Sequence, residues 1–336
     1  MLGEIFMAEK KLKTLLVFKY IDEFSDEAHP LSTSQIIEML ANEGIKCERK
    51  SIYADVKTLK EIGYDIVSIK SPINGGFFMA SRKFEIPEVR LLIDAVTSAG
   101  FITPKKTQSL VEKLESLVSK NQANSIVTHV YIDPSTKCDN EEIYYIIDAL
   151  HKAIQDRKKV KFIYKRRNID VENKKNYTEK TFTVSPYALI WKDDHYYLIC
   201  NNQKYNNIMN LRVDRIRKVN TLDEPARLVG EVSEYKNSFD VADYSKKMFN
   251  MYSGKSDKIR IACELELREQ IMDRFGAKVP LSAYDSSHFE TTVDVAVSDG
   301  LIAWLMSFGK KVRVLEPQYL ADAVKERAQQ IAKLYE

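Results

Sequence analysis

The sequence predicts a multidomain α+β chain of four successive parts: helices closed by a hairpin, a helical linker, a small β-barrel, and a C-terminal unit mixing strands and helices. Three observations carry that reading. Residues 8–82 show helical apolar spacing, then a hairpin signal. Residues 181–216 alternate apolar and polar side chains with period two (Phe182, Val184; Ala188, Ile190; Tyr196, Leu198, Cys200; Leu211, Val213), broken by Lys192-Asp193-Asp194 and Asn201-Asn202-Gln203. After residue 257, strand and helix patterns alternate again. A length of 336 residues exceeds what one core usually holds, so two to four domains are expected.

In the first part, residues 1–82, Leu12, Leu16, Tyr20 and Phe24 fall four apart and predict an amphipathic helix with that stripe inward. Pro30 stops the chain, and Ser32 with Gln35 forms a capping box for a helix over residues 34–42. Gly44 suits the left-handed position behind it. A third helix is predicted over residues 49–62, with Ile52, Val56 and Leu59 inward and Gly63 behind. Residues 65–69 and 77–80 read as strands around Asn74-Gly75-Gly76. That order is a winged helix-turn-helix. Arg49, Lys50, Tyr53, Ala54, Lys57 and Lys60 then share the outward face of the third helix, as a recognition helix requires, with Lys70 on the wing. Arg49, Lys50, Ser51, Tyr53, Lys57 and Lys70 are the candidate DNA-binding residues, and Asp55 is expected to be structural.

Residues 83–140 read as a linker. Pro87 starts a helix carrying Val89, Leu92, Ile93 and Val96, and Thr103-Pro104 starts another with Leu110, Leu114, Leu117 and Val118 on one side. Their apolar stripes are expected to pack between two copies of the chain, giving a homodimer; packing on the chain's own third part is the other option. Residues 121–140, with Pro134, read as an irregular connector.

The third part, residues 141–225, opens with a helix bearing Ile146, Leu150 and Ile154. A first strand over residues 160–165 follows, alternating Val160, Phe162 and Tyr164 with Lys161, Ile163 and Lys165. Short antiparallel strands close most economically into a small SH3/Sm-like barrel, which removes exposed edges. Arg157, Lys158, Lys159, Lys161, Lys165, Arg166 and Arg167 crowd the first strand, with Asp156 and Asp170 as the offsetting acids nearby. Basic strands beside Tyr164, Tyr187, Trp191 and Tyr196 suit a ligand with phosphates and bases. Lys174 and Lys175 read as a solvated loop.

Here the chain resembles a known family. Pro186, Tyr196-Tyr197-Leu198 and Leu211-Arg212-Val213-Asp214-Arg215-Ile216 are similar to the landmarks of the WYL domain of bacterial transcriptional regulators. Tyr196 stands where the name-giving tryptophan usually is, and Met209 where many members carry an arginine. The run Lys50-Ser51-Ile52-Tyr53-x-Asp55 resembles their N-terminal domain. The resemblance implies a ligand-sensing domain, with Lys161, Tyr164, Ser185, Tyr187, Tyr196, Arg212 and Arg215 as candidate ligand contacts. Arg212 is expected to meet the ligand, and Arg215 to pair with Asp214 and hold the barrel shut.

Residues 226–256 read as a connector; Phe239-Asp240-Val241-Ala242-Asp243-Tyr244 and Phe249-Asn250-Met251 resemble the one that follows WYL barrels. In residues 257–336, Ile259, Ile261, Cys263, Leu265 and Leu267 alternate as a strand, as do Phe289, Thr291, Val293, Val295 and Val297. Helices are predicted over residues 268–275 and 301–308, a strand over 312–315, and a last helix from Pro317 with Leu320, Val324, Ile331 and Leu334 inward. This is a ferredoxin-like, split β-α-β order. Trp304-Leu305, Gly309 and Leu315-Glu316-Pro317 resemble the C-terminal (WCX-type) extension of WYL proteins.

No catalytic residue, metal site or cofactor is expected. There is no Gly-rich phosphate loop and no G-x-S-x-G, and His29, His129, His151, His195 and His288 are dispersed. Cys47, Cys138, Cys200 and Cys263 form no CxxC pair, which argues for reduced cytoplasmic thiols. No apolar run spans a bilayer, and the lysines and acids of the first residues argue against a secretion signal. A net charge of +3 does not by itself identify nucleic acid as a partner. The expectation is a cytoplasmic, homodimeric regulator that binds double-stranded operator DNA and senses an anionic, nucleotide-like or oligonucleotide effector. The alternative is an RNA- or single-strand-binding protein using an Sm-like barrel.

Overall fold

Residues 2–72, 74–127, 137–167, 177–236 and 238–336 are described by the structure, a computed structural model, in two units, Met1–Glu141 and Glu142–Glu336. The first begins with α1 (Leu2–Phe24), α2 (Thr33–Asn42) and α3 (Arg49–Glu61), followed by an antiparallel hairpin of β1 (Ile66–Ile69) and β2 (Gly76–Met79). Each boundary has a local cause. Ser32 accepts the backbone N–H of Gln35, while the Gln35 side chain accepts that of Ser32, so two orphan donors of α2 are satisfied reciprocally. Gly44, at φ +81°, ends the helix with Gly44 N–H donating to Ala41 O and Ile45 N–H to Leu40 O, a Schellman motif. Gly63, at φ +104°, repeats it behind α3.

Val17, Tyr20 and Ile21 of α1, Ile36 and Leu40 of α2, and Ile52, Val56 and Leu59 of α3 form the core with Ile66 and Phe77. This corrects the expected stripe of α1. Leu12 is 50% exposed and Leu16 only half-buried, whereas Val17 and Ile21 are fully buried.

The linker is also corrected. Helices α4 (Ile86–Ser98), α5 (Pro104–Glu115) and α6 (Lys120–Val127) build a small core of their own from Val89, Ile93, Val111, Val118, Ala123 and Ile126. The predicted stripes therefore meet each other first, and the stretch read as irregular begins as a helix. Leu92 turns outward. His129 and Pro134 lie outside the described residues.

The second unit opens with α7 (Ile143–Gln155), which buries Ile143, Ile146, Leu150 and Ala153; the predicted Ile154 is only half-buried. Then come β3 (Lys158–Arg167), β4 (Tyr177–Lys192), β5 (His195–Asn201), β6 (Met209–Arg212) and β7 (Ile216–Pro225), in sheet order β6-β5-β4-β3-β7 with every neighbour antiparallel. β4 is long and serves two partners, its first half pairing with β3 and its second with β5. A register shift between Pro186 and Ala188 falls at the proline, which has no N–H for the ladder. Asp193 and Asp194, both at positive φ, make the two-residue turn into β5. Among the described residues no backbone pairing joins β6 to β7. A 3-10 turn, Val213–Arg215, carries the chain directly from one edge strand to the other. Asp170, Lys174 and Lys175 lie outside the described residues.

A short helix α8 (Val241–Lys247) leads into β8 (Lys255–Glu264), α9 (Arg268–Phe275), β9 (Ser282–Ala283), β10 (His288–Val297), α10 (Asp299–Ser307), β11 (Val312–Glu316) and α11 (Gln318–Ala332). The sheet order is β11-β8-β10-β9, all antiparallel, the connectivity of two interleaved β-α-β units. Ile259, Ile261, Cys263, Val295, Leu301 and Leu320 form its core. The last helix departs from expectation: Leu320 is buried, but Ile331 is 42% and Leu334 80% exposed. Among the described residues no helix is long and apolar enough to cross a membrane.

Candidate functional site

The face of α3 is built from behind. Ile52, Val56 and Leu59 anchor the helix to the core, so Arg49, Lys50, Tyr53, Ala54, Lys57 and Lys60 all emerge exposed on the other side. Between the two faces sits a buried ion pair. Lys13 Nζ of α1 lies 2.8 Å from Asp55 Oδ2, with side chains 9% and 6% exposed, and Thr14 Oγ1 donates to Asp55 Oδ1 at 2.8 Å. Asp55 thus braces α3 against α1, in the structural role expected of it. Lys13 Nζ also donates to Ser51 Oγ, so Ser51 is drawn toward α1 and differs from the other candidates. Arg49 Nη2 donates to Ser34 Oγ at 3.2 Å, tying the start of α3 to α2. The Tyr53 ring, 57% exposed, meets Phe77 edge-on at 5.6 Å. Lys70 is exposed beyond β1, and Lys60 Nζ reaches Ser68 Oγ at 3.4 Å.

The seven candidate ligand contacts do not gather at one place. Tyr164, Arg212 and Arg215 come together where the 3-10 turn crosses the sheet: Arg212 N–H donates to Tyr164 Oη at 3.2 Å. Burial pushes the Tyr164 hydroxyl above its ordinary pKa, opposed by the Arg215 guanidinium and by hydrogen bonding from Arg212 and Arg215. Ser185 and Tyr187 lie instead beside Arg227, whose N–H donates to Ser185 Oγ at 2.9 Å. Burial raises the Tyr187 hydroxyl to about 12, and its Oη is buried without a hydrogen-bond partner among the described residues. Tyr196 stacks on Trp191 at 6.3 Å and 17°. Lys161 is exposed on the outer side of β3, facing Thr183 and Asn220 in register.

The pairing with Asp214 that was expected of Arg215 is made by Arg212. Arg212 grips Asp214 with both arms, Nε to Oδ1 at 3.0 Å and Nη2 to Oδ2 at 2.6 Å, while Arg215 is exposed. The chain turns between the two, so Asp214 swings back beneath Arg212. The basic surplus near β3 is smaller than its local sequence suggests. Lys158 pairs with Asp223 and Lys159 with Glu224, both at 2.9 Å, through acids that β7 returns from far along the chain.

His195 is named above only as one of five dispersed histidines, and its surroundings were missed. It sits at the start of β5, T-shaped against Tyr197 at 6.4 Å, with Nδ1 buried and without a hydrogen-bond partner among the described residues. Burial, then the nearby Arg212, lowers its pKa. Arg227 was also missed; it braces the β5–β6 loop through Nη2 to Asn206 Oδ1 at 3.0 Å.

The WYL domain family matches residues 145–221, and the WCX domain family matches residues 257–332. A curated relative, the "Uncharacterized HTH-type transcriptional regulator YobV" of Bacillus subtilis (strain 168), is 22% identical over 298 residues, covering 85% of this chain and 90% of that protein. Among solved structures, proteasome accessory factor B/C of Arthrobacter aurescens is 15% identical with a TM-score of 0.27, across 94% of this chain and 46% of that one. This chain therefore spans about half the length of that protein. A crystal structure of a CRISPR Cas-related protein is 13% identical with a TM-score of 0.37, across 100% of this chain and 86% of that one. At such TM-scores neither structural likeness bears on the function argued next.

Proposed function

We propose that this WYL-domain protein of the transcriptional-regulator type binds double-stranded operator DNA as a homodimer and answers to an anionic, nucleotide-like or oligonucleotide effector in the cytoplasm. Helices α1 to α3 with the β1–β2 hairpin serve as a winged helix-turn-helix, strands β3 to β7 as the SH3/Sm-like sensor barrel, and the C-terminal unit as a ferredoxin-like extension. The observation that carries the reading is the two-sided construction of α3: one face is buried around the Lys13–Asp55 pair, the other is basic and exposed. Arg49 and Lys50 at the N-terminal end reach base edges, Tyr53 and Lys57 follow the groove, and Lys60 and Lys70 meet phosphate. Ser51 acts indirectly, through Lys13.

In the sensor, the exposed Arg215 is the better ligand contact, since Asp214 already holds the Nε and Nη2 of Arg212. An effector phosphate at Arg215, beside the buried Tyr164, bears on the 3-10 turn and, through it, on both edges of the sheet. A ligand shifts regulation only through such differential contacts. Arg215→Ala is expected to abolish the response to signal in a reporter assay and leave basal DNA binding intact; Arg212→Ala is expected to lower the melting temperature. Tyr187 and Ser185, beside Arg227, take no part in that contact.

Gel-shift titration of a duplex from the protein's own promoter tests the DNA half. Arg49→Ala should cost about 1–3 kcal/mol, and Lys57→Ala should flatten the salt dependence. Tighter binding of single-stranded RNA than of duplex would favour the Sm-like alternative, and unchanged affinity in folded Arg49→Ala, Lys50→Ala and Tyr53→Ala variants would remove α3 from the interface.

A further inference from the structure

The C-terminal sheet ends on β11, which pairs with β8 along one side; among the described residues no strand pairs with its other side. A groove of about 530 Å³ runs along that free edge. Successive side chains of a strand point to opposite faces, so a groove on either face would meet alternate residues. This one meets Val312, Arg313 and Val314 in succession. The register shift between Val314 and Glu316 leaves Leu315 without a partner on β8 and adds it to the same wall. The opposite wall is one stripe of α11, where Gln318, Ala321, Val324 with Lys325, and Ala328 fall three or four apart. Leu305 and Met306 of α10 make an apolar floor.

From Gln318 to Ala328 the helix rises about 15 Å, and the five residues of β11 extend about 16 Å. The two walls match in length, with room for about five or six extended residues. A free edge presents a row of backbone N–H and C=O groups, which another strand satisfies in series. Two charged side chains line the groove, Arg313 and Lys325; both are exposed, and neither has a polar partner among the described residues. No carboxylate lines it. The acids of β11 and α11 lie outside the lining and are engaged: Glu316 accepts Arg260 Nη2 at 2.6 Å, Asp322 accepts Gln318 Nε2 at 2.9 Å, and Glu326 accepts Gln330 Nε2 at 3.1 Å. We propose that this groove docks an extended, acidic segment of a partner protein, added to the four-stranded sheet as a fifth strand. Alternate apolar side chains of that segment rest on Leu305, Val314 and Val324, and its carboxylates meet Arg313 and Lys325.

A second copy of this chain is the poorer occupant. Its β11 would bring another Arg313 and Lys325 to a lining without a carboxylate, while its Glu316 is already held by Arg260. The same two cations that turn away an identical strand admit an acidic one. The groove is separate from the Arg215 contact and from α3, so binding is read without DNA or effector.

Fluorescence anisotropy of the full chain with labelled hexapeptides tests this, each peptide carrying valine or isoleucine at alternate positions and glutamate near both ends. Saturable binding is expected, roughly tenfold tighter than that of the same peptide with lysine for glutamate. N-methylation of two successive central residues should abolish it, because one of two successive N–H groups faces β11. Arg313→Glu combined with Lys325→Glu should invert the charge preference, which loss of folding would not do. Ala328→Trp, at an exposed lining position, should weaken binding roughly tenfold or more while the melting temperature holds. No saturable binding by any member of a library of such peptides randomised at the apolar positions would overturn the proposal. So would equal binding of the N-methylated peptide, or an unchanged preference for glutamate in the folded double variant. Self-association of the chain that Ala328→Trp abolishes would give the groove to a second copy and overturn it as well.

Discussion

Lys13 and Asp55 show how a single buried pair sets the orientation of a whole face. Their side chains are 9% and 6% exposed, so neither charge is well solvated if the other is lost. Lys13→Met should destabilise the protein by about 3–5 kcal/mol in urea unfolding, and the added change Asp55→Leu should recover most of that. A loss of under about 1 kcal/mol in the single variant would mean that the pair is solvated in solution. Asp26 is a second such residue. Its Oδ2 accepts Ser119 Oγ–H at 2.6 Å, its Oδ1 accepts His29 N–H at 2.9 Å, and His29 Nδ1 lies 2.8 Å from Oδ1. Burial alone would raise its pKa, but the hydrogen bonds from Ser119 and His29 outweigh it and hold the carboxyl below its ordinary value. A depressed acid contributes stability that is complete above its unfolded pKa and is lost as pH falls through the folded one. The stability gap between wild type and Asp26→Asn should thus be full at neutral pH and close below about pH 4. A gap that persists unchanged into acid would mean that the charged form of Asp26 is not what the fold prefers.

Elements were legible where a local rule acts and illegible where packing decides. The Ser32–Gln35 box and the glycines behind α2 and α3 are local. An added Cβ at Gly44 would meet nothing within 4 Å, so the cost of Gly44→Ala is the left-handed backbone alone, about 1–2 kcal/mol. Gly44→Asn should cost less in the same melting experiment; an equal loss would place the strain elsewhere. The inward face of α1 was not legible, because Leu15, Leu16, Val17, Phe18 and Ile21 are apolar on several sides and only the tertiary core selects among them. Helix α6 did carry a signal that went unread. Ser119 and Gln122 form another capping box, Gln122 N–H to Ser119 Oγ at 3.1 Å and Ser119 N–H to Gln122 Oε1 at 3.2 Å, ahead of a polar run that hides the helix. The crossing from β6 to β7 was hidden for a similar reason. Leu211, Val213 and Ile216 suggest a continuing strand, yet the 3-10 turn breaks the alternation and gives Asp214 to Arg212. The acids that neutralise Lys158 and Lys159 lie 65 residues away and could not be assigned from local composition.

At the scale of the whole molecule, the proposed function requires two-fold symmetry. A single α3 covers too few base pairs for an operator, and paired recognition helices on one face of B-DNA need half-sites about 34 Å apart or a multiple of it. The linker helices remain the proposed seam, through other residues than their predicted stripes. Their predicted stripes are largely used internally, by Val89, Ile93, Val111 and Val118. What α4 leaves outward is Leu91, 69% exposed, beside Leu92, 37% exposed. Two adjacent leucines on a helix whose opposite face is already packed are the residues a second copy would cover. Leu91→Glu leaves Val89 and Ile93 in place, so it should preserve the fold. It should also weaken self-association, and it should lower operator affinity in the same proportion, because each half-site contact alone is weak. Light scattering at micromolar concentration, with and without operator duplex, measures the first effect, and anisotropy with a two-site duplex measures the second. A wild-type monomer on the operator would end the two-fold reading. A Leu91→Glu protein that stays dimeric would move the seam away from α4.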